Sequence, residues 1–109
     1  MRCTFAFTLL LTMTTAAFAA PDGKALYQQH CFGCHGAKGL GDGPNAALLD
    51  SKPGNLAAAN YKLGESDKTV FKVITDGVKG TPMDGFAKKL SEADRHALVD
   101  YLKVLRGEK

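Results

Sequence analysis

The stretch HCFGCHG, residues 30–36, places two cysteines three apart with a histidine directly behind the second, and it constrains this chain more than any other feature. On a helical turn, positions i, i+3 and i+4 project from one side, so Cys31, Cys34 and His35 face the same object. A C-x-x-C-H run is the pattern of covalent haem attachment. Two thiols at this spacing can add to the two vinyl groups along one porphyrin edge, and the adjacent imidazole then reaches the iron. The competing uses of such a pair fit less well. A Cys31–Cys34 disulfide would close a very small loop and stabilise weakly. Structural zinc needs four ligands, and the chain has no second Cys or His pair at suitable spacing. A thioredoxin-type redox pair follows a strand, and no strand pattern is present.

The first twenty residues, MRCTFAFTLLLTMTTAAFAA, carry Arg2, an apolar run from Phe5 to Met13, and small residues at Ala17 and Ala19. This is the layout of a secretory signal over residues 1–19 with cleavage after Ala19, and it places the mature protein in the periplasm. A retained membrane anchor is the alternative; five threonines dilute the run, and no Lys or Arg cluster follows it. Residues 20–109 then form one small domain whose core is too thin to hold it without help. Cys3 leaves with the signal, so Cys31 and Cys34 are the only cysteines of the mature chain. The formal charge of the whole chain is +3, and its basic residues are scattered, which gives nucleic-acid binding no support.

The rest of the chain reads as all-α. Asp22 can cap a helix over Asp22–Phe32, Ser66 one that stops at Gly77, and Ser91 a last one toward Gly107. Val70, Phe71 and Ile74 make the apolar face of the second. Leu98, Tyr101, Leu102 and Leu105 make that of the third, with Glu92 and Asp94 in its first turn and Lys103 and Arg106 near its end, as the helix dipole favours. Residues 36–64 hold six glycines and two prolines. That is loop chemistry, with at most one short helical turn, and a loop so long in a small domain usually wraps something functional.

Haem iron has a second axial position. Met83 is the one methionine beyond the signal, and it lies in the GTPMDGF loop between two helices, so its thioether is the expected sixth ligand, where soft ligation favours ferrous iron. His30 should point away from the proximal face, and His96 should be a solvated surface residue. A ligating histidine usually donates its second ring nitrogen to a carbonyl, and Pro44, nine residues after His35, is the expected acceptor.

Together these residues resemble the class I c-type cytochromes over nearly all of residues 20–109. Gly23 and Tyr27 stand eight and four residues before Cys31, and Leu98 and Tyr101 occupy the last helix, matching the family's paired terminal helices. GTPMDGF resembles the methionine-ligand loop and GDGP the proximal loop; residues 45–65 fit only loosely. The resemblance implies a small cytochrome c fold of three main helices and loops around one haem c, bonded through Cys31 and Cys34 and ligated by His35 and Met83. It implies a one-electron carrier in a respiratory or dehydrogenase-linked chain rather than an enzyme. Such a carrier is expected to be monomeric, to meet redox protein partners by transient docking, and to reach membranes only through membrane-bound complexes. Phe32, Gly33, Pro82 and the lysines at 79, 88 and 89 would form the docking face. Leu63, Val70, Phe71, Ile74 and Phe86 would keep water from the ring, and Asn60, Tyr61 or Lys62 would meet its propionates. Two alternatives stay open: a haem enzyme or gas binder with a free sixth position beside Asp84, and a haem subunit of a larger oxidoreductase.

Overall fold

The computed structural model describes residues 2–15 and 20–108; Ala17 and Ala19, on which the expected cleavage site rests, lie outside them. Residues 2–15 carry no helix or strand, and among the described residues no helix is long and apolar enough to cross a membrane. The domain is built from α1 (Gly23–His30), α2 (Phe32–His35), a 3-10 turn (Ala46–Leu48), α3 (Asp67–Asp76) and α4 (Glu92–Leu105). Among the described residues the only extended pairing is a single Gly77–Asp84 bridge.

Each main helix starts where a side-chain oxygen can take up an orphan amide. Asp22 accepts from the Ala25 N–H at 3.1 Å, Ser66 from Thr69 at 3.2 Å and Ser91 from Asp94 at 3.1 Å. Gly77, at φ 74°, ends α3 in a conformation that a Cβ would strain. The expected first helix over Asp22–Phe32 is divided. Cys31, at φ −114°, ends α1 after His30, and α2 then carries the helical path to His35. The loop that follows competes for carbonyls there: Gly43 N–H donates to Cys34 O at 3.1 Å and Asn45 N–H to Gly33 O at 2.7 Å.

α1 and α4 cross at Gly23. A Cβ on this residue would run into the Ala97 carbonyl and lie 3.0 Å from Tyr101 Cβ, so only glycine allows the approach. Tyr27 and Tyr101 fill the crossing, with ring centroids 5.2 Å apart. α3 packs on the other flank of α4, and Lys103 Nζ reaches Asp67 Oδ2 at 2.6 Å across that contact. The core is Tyr27, Val70, Ile74, Leu90, Leu98, Val99 and Leu102, with Leu26, Leu56, Phe71, Phe86, Tyr101 and Leu105 packed at its margin. Burying each aliphatic side chain is worth about 1.5–3 kcal/mol, so seven residues make the small core the chain length implies. Val99 and Leu90 belong to it, although the stripe read from α4 omits Val99 and the loop assignment omits Leu90.

Candidate functional site

The Cys31–His35 turn is held from behind by the glycine-rich loop. Gly41 N–H donates to His35 O at 2.8 Å, beside the Gly43 and Asn45 bonds already described. A Cβ on Gly43 would meet the Phe32 carbonyl oxygen at 2.5 Å, so the loop lies flat against the turn only because that residue has no side chain. Tyr27, 1% exposed, donates its hydroxyl to Gly36 O at 2.6 Å and ties α1 to the residue after His35. Burial first, then the neighbouring Cys31, pushes its phenol above the ordinary tyrosine range.

Cys31 and Cys34 are half-buried and not joined to each other. Burial, aided by Cys34 beside it, pushes the Cys31 thiol up to about 11. The reactive thiolate of a redox pair is therefore disfavoured at Cys31, and two free sulfurs sit on one turn.

His35 Nδ1 lies 3.0 Å from Gly54 O. A carbonyl can only accept, so Nδ1 carries the proton and Nε2 keeps its lone pair in the neutral ring. Burial lowers the His35 pKa, opposed by the Gly54 bond, and so favours that neutral form. The expected acceptor, Pro44, is thereby corrected: the carbonyl comes from Gly54, nineteen residues on. Pro44 is exposed, and its segment is used up backing the Cys34 turn through Gly43 and Asn45. Asn55 Oδ1 accepts from Ala57 N–H at 2.9 Å, and Leu56 N–H donates to Gly39 O at 2.5 Å, which fixes the strap that presents Gly54. The Pro53-Gly54-Asn55 run was the sequence signal for this turn. Two thiols, one imidazole with a free Nε2 and a flanking apolar core form a donor set that fits haem c.

Met83 is half-buried on the connection from α3 to α4. Its carbonyl accepts from Val78 N–H at 3.0 Å and its N–H donates to Thr81 Oγ1 at 3.2 Å. Phe86 and Ala87 N–H groups donate back to Ile74 and Thr75 at 2.9 and 3.1 Å, so the loop is hooked onto α3. Of the ring-shielding residues expected, Val70 and Ile74 are buried, Phe71 and Phe86 are half-buried, and Leu63 is 56% exposed. His30 stands edge-on to Phe86, centroids 5.5 Å apart. His96 stays at the surface, its ring stacked on Phe71 at 4.2 Å. Tyr61 commits its hydroxyl to Leu56 O at 2.6 Å, and Asn60 and Lys62 are exposed. On the expected docking face Phe32, Pro82 and the lysines at 79, 88 and 89 are exposed and Gly33 is half-buried, with Lys89 Nζ 5.8 Å above the Phe86 ring.

This fold and donor set define a haem-carrying helical domain. The chain belongs to the cytochrome c family, whose description "Cytochrome c" matches residues 20–106, and within it to the monohaem class I c-type cytochromes. Cytochrome c55X of Paracoccus denitrificans is 32% identical, covering 89% of this chain and 90% of that protein. The solved KustC0563 c-type cytochrome superposes with a TM-score of 0.61 at 32% identity, over 81% of this chain and 99% of its own. Dihydro-heme d1 dehydrogenase of Pseudomonas aeruginosa is 42% identical over 86% of this chain, but the match spans only 17% of that enzyme's length. Haem c is the cofactor the family binds, and electron transfer is the role it serves.

Proposed function

We propose that this chain is a periplasmic one-electron carrier in which Cys31 and Cys34 bond one haem and His35 and Met83 are its axial ligands. The observation that carries the reading is the His35 ring, oriented by Gly54 with Nε2 free, on the same turn as two unpaired thiols. When bound, the haem supplies a reversible Fe(III)/Fe(II) couple. The residues around it have three tasks. Gly54 holds the imidazole in one tautomer, so no proton need move at His35 as the iron changes charge. The hooked 77–87 loop holds Met83 in place. Val70, Ile74, Phe71 and Phe86 limit water, which reduces solvent reorganisation around the ring.

Export follows from residues 1–19, with cleavage after Ala19 and a domain from 20 to 109. Phe32, Pro82 and the lysines at 79, 88 and 89 suit a small, transient contact with a redox protein, made by a monomer. A second reading is supported by the similarity to a segment of a dehydrogenase: the domain serves as the haem module of a larger oxidoreductase. Elution of the native protein alone supports the carrier, and elution with a larger complex supports the module.

The mass and visible spectrum of the secreted protein test the core of the proposal. Haem-added mass, a reduced spectrum unchanged by carbon monoxide, and loss of that resistance in Met83→Ala are expected. Carbon monoxide binding by the unaltered protein would refute Met83 ligation and favour the open-site reading beside Asp84. A bare chain mass would refute covalent attachment.

A further inference from the structure

Arg106, the residue that caps the C-terminal end of α4, is almost wholly enclosed: its side chain is 2% exposed. Its guanidinium lies over the Tyr61 ring at 4.8 Å, and Nη2 reaches Glu108 Oε2 at 3.2 Å. Nε and Nη1 are buried with no hydrogen-bond partner. What the arginine does achieve is to pin Tyr61. The Tyr61 hydroxyl donates to Leu56 O at 2.6 Å, while the other end of the same strap, Leu56 N–H, donates to Gly39 O. Two residues upstream is Gly54, whose carbonyl holds His35 Nδ1 at 3.0 Å. Leu105, beside Arg106, packs toward the same point: a Cβ on Gly39 would stand 3.0 Å from Leu56 Cβ and 3.2 Å from Leu105 Cδ1.

We infer that Tyr61, clamped by Arg106, is a positioning residue for His35: it fixes the 54–56 strap so that the Gly54 carbonyl meets the imidazole squarely. The inference rests on His35 being the proximal ligand. Through this connection the end of α4 sets the strength of the Nδ1–H bond. A stronger bond makes the imidazole more basic and favours ferric iron; a weaker one favours ferrous iron. The C-terminal end of α4 therefore reaches the strap that orients His35 through Tyr61.

The test uses the full haem-loaded protein. Tyr61→Phe keeps the ring and its stacking against Arg106 and removes the hydroxyl that donates to Leu56 O. In the ferrous state, proton NMR reads two things. The upfield ring-current displacement of the His35 ring protons reports whether His35 sits on the haem, and exchange of the Nδ1 proton with solvent deuterium reports how well Gly54 holds it. We expect the displacement to persist, Nδ1–H exchange to quicken at least tenfold, and the reduction equilibrium to shift about threefold toward ferrous, which at 59 mV per tenfold is roughly 30 mV. Arg106→Lys, which keeps the charge but loses the planar stack, should move both readouts in the same direction, and it carries the test if Tyr61→Phe does not fold. Unchanged exchange and potential in a folded variant, whatever happens to its melting temperature, overturn the positioning role while leaving His35 as ligand. Absence of the displacement in the unaltered protein overturns the ligand reading itself, and the positioning role with it.

Discussion

Replacing Gly23 by alanine tests the geometry on which the haem turn depends. In a free helix the change would be mildly favourable, by up to about 1 kcal/mol. Here the added methyl would lie 2.9 Å from the Ala97 carbonyl carbon and closer still to its oxygen, while ordinary contact begins at 3.4 Å. The obstacle is backbone of α4, which cannot rotate aside, so the helices must part by at least about half an ångström. Overpacking of this kind costs roughly 1–3 kcal/mol, and a backbone clash belongs at the upper end. After the helix gain, a net loss of about 2 kcal/mol is expected. In a domain of this size, 1 kcal/mol corresponds to about 4–8 °C in Tm, so the variant should melt some 8–16 °C lower. Far-UV circular dichroism of the ferric protein on heating provides the measurement, with the exposed Lys24→Ala as a neighbouring control. A Gly23→Ala protein that melts within the error of the control would falsify the claim that the α1–α4 crossing is rigid and glycine-dependent.

Ser91→Ala removes the cap that Asp94 N–H uses and should cost about 1 kcal/mol by denaturant titration, with Ser91→Thr restoring most of it. Serine at Cys31 or Cys34 should leave a haem bonded through a single sulfur, visible as residual haem-added mass, whereas the double replacement should yield only the bare chain. Tyr27 has its phenol raised in the folded state by burial. Its contribution is complete below the unfolded tyrosine value near 10 and is lost as pH climbs beyond it, because the unfolded chain gives up that proton first. The stability gap between the protein and Tyr27→Phe should therefore narrow above pH 10, by up to about 1.4 kcal/mol per pH unit. A gap that stays constant from pH 8 to 11 would show that the hydroxyl is not held as the Gly36 bond requires.

Much of this protein is local and could be read along the chain. Cys31, Cys34 and His35 share a helical turn by spacing alone, because i, i+3 and i+4 fall on one side of a helix whatever surrounds it. Asp22, Ser66 and Ser91 announce the three main helices, since each cap bonds an amide only three residues ahead. The all-α character followed from the same short-range periodicity.

Tertiary structure decided what passes through the backbone or across long separations. The partner of His35 is a main-chain oxygen of Gly54, and every residue carries such an oxygen, so side-chain identity could not single it out; Pro44 was the nearer and wrong choice. Val99 entered the core because α4 is covered on two flanks, by α1 and by α3, so its buried face is wider than one stripe, and Leu90, which precedes α4, is carried in by the turn in which its N–H donates to Phe86 O. The Arg106–Tyr61–Leu56 connection joins parts of the chain forty-five residues apart. Only the closing of α4 over the loop brings a cation, a ring and a carbonyl together, and no local pattern encodes that meeting.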